Sequence, residues 1–108
     1  MVREWRYWTR NKLEILAGYL PAFNWASARS PERVYIDLMA GQPENRDAGT
    51  GELFDGSARL ALQASPGFTR WAFCERERTA AVLQVDLEQR FPGRNWSGRL
   101  RGLIVGMR

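Results

Sequence analysis

The segment Arg33–Asn45, RVYIDLMAGQPEN, constrains this chain more than any other. Val34 to Met39 runs through strand formers without polar alternation, which predicts a strand buried on both faces, as strands of parallel sheets are. The run carries an acid, Asp37, close to its end. The small pair Ala40-Gly41 then turns the chain, and Pro43 stops any continuation. A parallel neighbour has to be reached by a crossover of a dozen or more residues, usually a helix.

The remaining pattern supplies such crossovers. Residues 9–20, TRNKLEILAGYL, place Leu13, Leu16 and Leu20 on one stripe widened by Ile15 and Tyr19, which predicts a helix capped by Thr9. Pro21 is expected to end it and to open a short second helix, with Phe23 and Trp25 extending the apolar surface. Residues 41–56, rich in Gly, Asp, Glu, Asn and Pro, read as one long loop. Ser57 is placed as the cap of a short helix carrying Leu60, Ala61 and Ala64. Residues 69–74 read as a second strand ending at Glu75, residues 76–90 as an amphipathic helix, and Leu103-Ile104-Val105 as a third strand. The α, β, α, β, α, β order implies a parallel sheet with right-handed crossovers.

At 108 residues the chain is read as one domain. Its 44% hydrophobic and 26% charged content is that of a globular protein. The absence of His removes Ser/His/Asp and Cys/His nucleophile systems, and zinc sites of the usual Cys/His spacings. A single cysteine, Cys74, excludes an intramolecular disulfide; ending an apolar strand beside Phe73, it is expected to behave as a small buried hydrophobe. No signal peptide or membrane-length apolar run is visible, so a cytoplasmic protein without membrane contact is expected.

Two carboxylates stand where a doubly wound sheet binds ligands, outside the carboxyl ends of its strands. Asp37 is near the end of the first strand and Glu75 at the end of the second. Ala40 and Gly41 leave room for a ligand to approach the backbone. An acid at the Glu75 position suits a ribose diol. Each has a plainer reading: Asp37 as a strand-end acid capping backbone amides, Glu75 as an exposed acid favoured by a helix N-terminus. There is no G-x-G-x-x-G and no Walker lysine.

Several stretches together resemble the three-Cys-motif partner protein family, whose members look like S-adenosylmethionine-dependent methyltransferases. They are Trp8-Thr9 with Lys12, Ile15-Leu16 and Tyr19-Leu20-Pro21; then Tyr35-Ile36-Asp37-Leu38-Met39-Ala40-Gly41; then Gly56-Ser57 with Leu60-Ala61-Leu62; and Ala72-Phe73-Cys74-Glu75 before a helix. The resemblance covers roughly residues 7–90. It implies a Rossmann-like fold of the class I methyltransferase type, of which the chain would form the amino-terminal half: a partial doubly wound parallel sheet with the first strand central. It also implies S-adenosylmethionine as cofactor, with Asp37, Ala40, Gly41 and Glu75 as the residues that bind it. The family's alanine-glycine-proline-glycine becomes Ala40-Gly41-Gln42-Pro43 here, so the second glycine is missing, and Gly-Ser-Pro becomes Gly56-Ser57-Ala58.

The expectation is therefore a methyltransferase-like protein, or a shortened and inactive relative. The alternative is a non-catalytic interaction or nucleic-acid-binding module. Fifteen of the sixteen cations are Arg, with a net charge of +4. Residues 3–10, REWRYWTR, interleave aromatics with cations as single-strand nucleic-acid surfaces do; packing of Trp5 and Trp8 against the core is the plainer account. Half a sheet leaves an edge without its usual neighbour, so a homodimer or a partner protein is expected.

Overall fold

A computed structural model describes the backbone of residues 3–5, 7–38, 40–92, 95–100 and 103–107, and the side chains of 10–38, 40–76 and 78–92. Ten elements follow in order: β1 (Arg3–Trp5), α1 (Tyr7–Ala26), β2 (Val34–Asp37), β3 (Glu44–Asp47), β4 (Leu53–Asp55), α2 (Ser57–Gln63), β5 (Arg70–Cys74), α3 (Glu77–Arg90), β6 (Asn95–Leu100) and β7 (Leu103–Met107). The architecture is mixed α/β, with three helices and two small sheets among the described residues.

The sheet that carries the predicted strand has the order β2-β5-β7-β6. β2 and β5 are parallel, with Tyr35 opposite Trp71 and Asp37 opposite Phe73, and α2 forms the crossover between them. At the other end of the pair, the Thr69 hydroxyl accepts from the Arg33 amide at 2.8 Å and donates to the Arg33 carbonyl at 3.0 Å. β7 is the expected third strand, but it runs antiparallel to β5, with Cys74 opposite Leu103. The chain returns through α3 to β6, which runs parallel to β5 one place further out, and the β6–β7 hairpin then reverses β7 into the position between them. β2 lies at the sheet's edge rather than its centre.

The core lies on one side of this sheet. Trp71 and Phe73 of β5 are buried against Ala58, Ala61 and Leu62 of α2, Ala80, Leu83 and Leu87 of α3, and Leu20 of α1. The alanines let α2 sit close enough for the Trp71 indole N–H to donate to the Ala61 carbonyl at 3.1 Å. Tyr35 joins this side, its ring 5.4 Å from Phe68 and 5.8 Å from Phe73. The opposite side is uncovered along β2. Val34 is 42% exposed, Ile36 65% and Leu38 73%. Burial on both faces, expected from the unbroken apolar run, is thus not found; the described helices share one face. Cys74 is on the open side and half-buried rather than buried.

α1 runs unbroken through Pro21, where a helix break was expected. Proline inside a helix costs about 3 kcal/mol, but the ring removes only one hydrogen bond. Contacts on both sides of it hold the axis. Leu20 is buried before the proline; Asn24 is buried after it and donates to the Pro66 carbonyl at 2.9 Å. Phe23 stacks 6.3 Å from Phe68. Thr9, the expected cap, and Met39 have side chains outside the described residues.

The stretch read as one long loop contains a hairpin. β3 and β4 pair antiparallel, and β1 adds to β3 in parallel. Asp47 builds the turn: its carboxylate accepts from the amides of Gly49 at 2.8 Å and Thr50 at 3.1 Å, and Gly51 closes it in the left-handed region with φ +75°. Arg10 of α1 pairs with Asp47 at 3.4 Å and with Glu52, so the hairpin is tied to the helix.

Candidate functional site

The carboxyl ends of β2 and β5 bring Asp37, Ala40, Gly41 and Glu75 into one cluster. Asp37, last in β2, has its side chain on the helix-covered face because Tyr35, two residues earlier, has. Its Oδ2 accepts from the Tyr35 hydroxyl at 3.0 Å and from the Ser57 hydroxyl at 2.5 Å. Short O–H···O⁻ bonds of this type are charge-assisted and strong. Burial, then the negative charge of Asp37, then the hydrogen bond it accepts, push the Tyr35 hydroxyl well above the usual tyrosine range. Asp37 thus anchors the hydroxyls of Tyr35 and Ser57.

Ser57 acts differently from its expected role. Gly56 occupies the N-cap of α2 and no side chain caps that end. Ser57, one residue later, turns its hydroxyl to Asp37 instead, with the Ala40 carbonyl 3.4 Å away. Gly56 is required by space: a Cβ there would stand 2.3 Å from the Gln42 carbonyl oxygen. Its amide also donates to the Pro43 carbonyl at 2.9 Å. The loop after β2 is thereby clamped onto the start of α2.

Glu75 closes the cluster from the other strand. Its Oε2 accepts from the Gly41 amide at 2.8 Å and its Oε1 from the Arg76 amide at 2.8 Å. The Ala40 amide donates to the Cys74 carbonyl at 3.0 Å, prolonging the β2–β5 ladder into the turn. Gly41 has φ +72°, and a Cβ placed on it would meet nothing within 4 Å. One carboxylate therefore spans two strand ends beside an open, left-handed glycine. Gln42, next along the turn, is buried, and its Oε1 has no hydrogen-bond partner.

The residues with the most electrostatic work are ones the sequence reading missed. Arg59 of α2, 4% exposed, reaches Asp86 of α3 through two bonds of 3.0 and 2.6 Å, Asp55 at 3.0 Å and Glu44 at 3.3 Å. Its guanidinium is held even more firmly charged than usual, chiefly by the Asp86 bonds and then, against the cost of burial, by Asp55. The Asp55–Arg59 spacing of four residues was the one visible signal.

A cleft of about 140 Å³ opens between α1 and the β4–α2 segment, lined by Arg10, Leu13, Glu14, Ala17, Phe54, Asp55 and Leu60. None of the strand-end residues lines it. The Arg10 guanidinium lies 5.7 Å from the Phe54 ring centroid. Of the Arg/Trp-rich start, only the side chain of Arg10 falls within the described residues, and it is engaged by carboxylates of the hairpin and by Glu14. No group of metal-ligating side chains occurs among the described residues, and no helix among them is long and apolar enough to cross a membrane. Comparison with protein-family models, curated proteins and solved structures yields no match to this chain.

Proposed function

We propose that the chain is a methyltransferase-like protein, similar to the three-Cys-motif partner family, whose β2–β5 turn holds the adenosyl end of S-adenosylmethionine. The observation that carries this reading is Glu75 fixed against the Gly41 amide at the carboxyl ends of two adjacent parallel strands. A carboxylate there accepts hydrogen bonds from a ribose diol. The open space at Gly41 admits a ligand beside the backbone. Asp37, tied to Ser57 and Tyr35, shapes the floor of the turn. When bound, the cofactor supplies an activated methyl group, whose transfer depends chiefly on proximity and in-line orientation.

The fit is better at the ribose end than at the methionine end. Gln42 has a buried side chain where the family pattern continues toward a second glycine, so backbone approach is available at Gly41 alone. Weak binding without efficient turnover follows. Titration calorimetry with S-adenosylmethionine and with its demethylated product tests this. Saturable heat with both nucleotides, lost in Glu75→Ala while circular dichroism is unchanged, is the expected result. A folded protein giving no saturable heat with either compound refutes the proposal.

A second reading, a non-catalytic interaction protein, is favoured by the uncovered β2 face with its exposed Val34, Ile36 and Leu38. Apolar residues gathered on one side of an edge strand are a common interaction surface.

A further inference from the structure

We infer that α1 pairs with α1 of a second copy of the chain, antiparallel, through its outward face. Apolar side chains ordinarily face inward on a surface helix, and α1 does bury Leu20 and Asn24 and packs Leu16 against the core. Its outer face departs from that pattern. Ile15 is 64% exposed, Tyr19 58% and Trp25 72%, with Phe23 at the margin at 40%. Between Glu14 and Arg29 the helix and the turn after it carry no charge at all. Gly18 and Ala22 lie between the large side chains on the outer face, and a Cβ on Gly18 would meet nothing within 4 Å. A second helix has room to come close there.

The area suffices for two copies. At roughly 150–250 Å² per aromatic side chain, the exposed parts of Tyr19, Phe23 and Trp25 amount to about 350 Å². Ile15 and the small residues bring one face to roughly 500 Å², and two such faces to about 1,000 Å², the lower limit for a specific interface.

Charge selects the direction. The first turn of α1 holds no acid and its last turn no base. The basic residues near it, Arg10 and Lys12, are toward the N-terminus, where the helix dipole disfavours cations. An antiparallel partner reverses this. Centred between Gly18 and Ala22, the pairing sets Gly18 against the partner's Ala22 and Ile15 against the partner's Trp25. Lys12 then falls beside the partner's helix C-terminus, and Glu14, which is 65% exposed, within reach of the partner's Arg29. Both ends are complementary, and the two-fold axis repeats each contact. A parallel pair would instead set Lys12 against Lys12.

The test is sedimentation equilibrium of the full chain. A dimer with a micromolar dissociation constant is expected, given an interface at the small end of the range. Trp25→Glu and Tyr19→Glu should each raise that constant by roughly 10-fold or more, with the far-ultraviolet spectrum unchanged. Ile36→Glu, on the open sheet face, should leave it unaltered. In a Cys74→Ser background, a mixture of Gly18→Cys and Ala22→Cys chains should form an intermolecular disulfide between the two variants, and Lys12→Cys alone should not. A monomer at all concentrations, or a dimer abolished by Ile36→Glu alone, overturns the assignment; so does a Lys12→Cys disulfide, which requires parallel helices. Co-sedimentation of a monomeric chain with anionic vesicles would give the face to a lipid surface instead.

Discussion

Replacing Arg59 with Met should destabilise the protein by about 3 kcal/mol. The figure follows from which partners lose most. Asp86 is bound through two bonds and only 18% exposed, while Asp55 and Glu44 are about a third exposed. The latter two can turn to water, and such half-exposed pairs contribute about 1 kcal/mol or less. Asp86 cannot do so as easily, and a charge left buried without its partner costs about 3–5 kcal/mol. The lower end applies because Arg90 remains 3.4 Å from Asp86 and supplies some compensation. For a domain of this size each kcal/mol lowers Tm by roughly 4–8 °C, so the loss is about 12–24 °C. Thermal unfolding followed by circular dichroism measures it. Adding Asp86→Leu to Arg59→Met should recover most of the loss, since a matched apolar pair replaces a buried ion pair at little cost. A loss below 1 kcal/mol, or one that Asp86→Leu does not relieve, would refute the assignment of Arg59 as the joint between α2, α3 and the hairpin.

Two further outcomes follow from the same geometry. Asp47 is held below the usual carboxylate range by the amides of Gly49 and Thr50 and then by Arg10. With a folded pKa lower than the unfolded one, its stabilisation is complete above the unfolded value and is lost as pH falls through the folded one. Asp47→Asn should therefore lower stability at neutral pH and flatten its decline in acid, read by urea midpoints across that range. Gly56→Ala should cost about 3 kcal/mol, since the new Cβ stands 2.3 Å from a backbone oxygen that side-chain rotation cannot move. Gly41→Ala should cost about 1 kcal/mol for the left-handed φ alone. Equal Tm shifts for the two would contradict the packing at Gly56.

What could be read from sequence followed from local chemistry. β2, β5, α3 and the Leu16 and Leu20 stripe of α1 appear in their expected places because apolar spacing determines them, whereas Ile15 and Tyr19, expected to widen that stripe, face outward. Asp37, Ala40, Gly41 and Glu75 do converge, since strand ends of parallel neighbours are adjacent by construction. The hairpin was illegible because ENRD and LFD are short and largely polar, so their pairing depends on Asp47 organising a turn. Nor could Pro21 declare that helix α1 would pass through it, as that depends on Asn24 finding Pro66, 42 residues away. The open face of β2 was hidden for a related reason. Apolar runs report affinity for burial, not whether the chain supplies a cover.

The two proposed surfaces also differ in how binding would be driven, and that makes them separable. At the turn, a ligand hydroxyl reaching Glu75 exchanges its bond to water for an acceptor site that the Gly41 and Arg76 amides leave on the carboxylate. The net gain is then at most the roughly 1.5–3 kcal/mol of a hydrogen bond to a charged group. Affinity there rests on contacts made beyond Glu75, which Gln42 restricts. On α1 nothing is exchanged: exposed apolar area leaves water and no internal bond is broken. Salt should accordingly leave the α1 contact nearly unchanged, apart from the Glu14–Arg29 ends. Glu75→Gln, which removes the charge but keeps an acceptor for Gly41, should weaken nucleotide binding and leave self-association intact. Trp25→Glu should do the reverse. If either change abolishes both, the turn and the helix are coupled through Phe23, Phe68 and Tyr35, whose rings form the contact path between them.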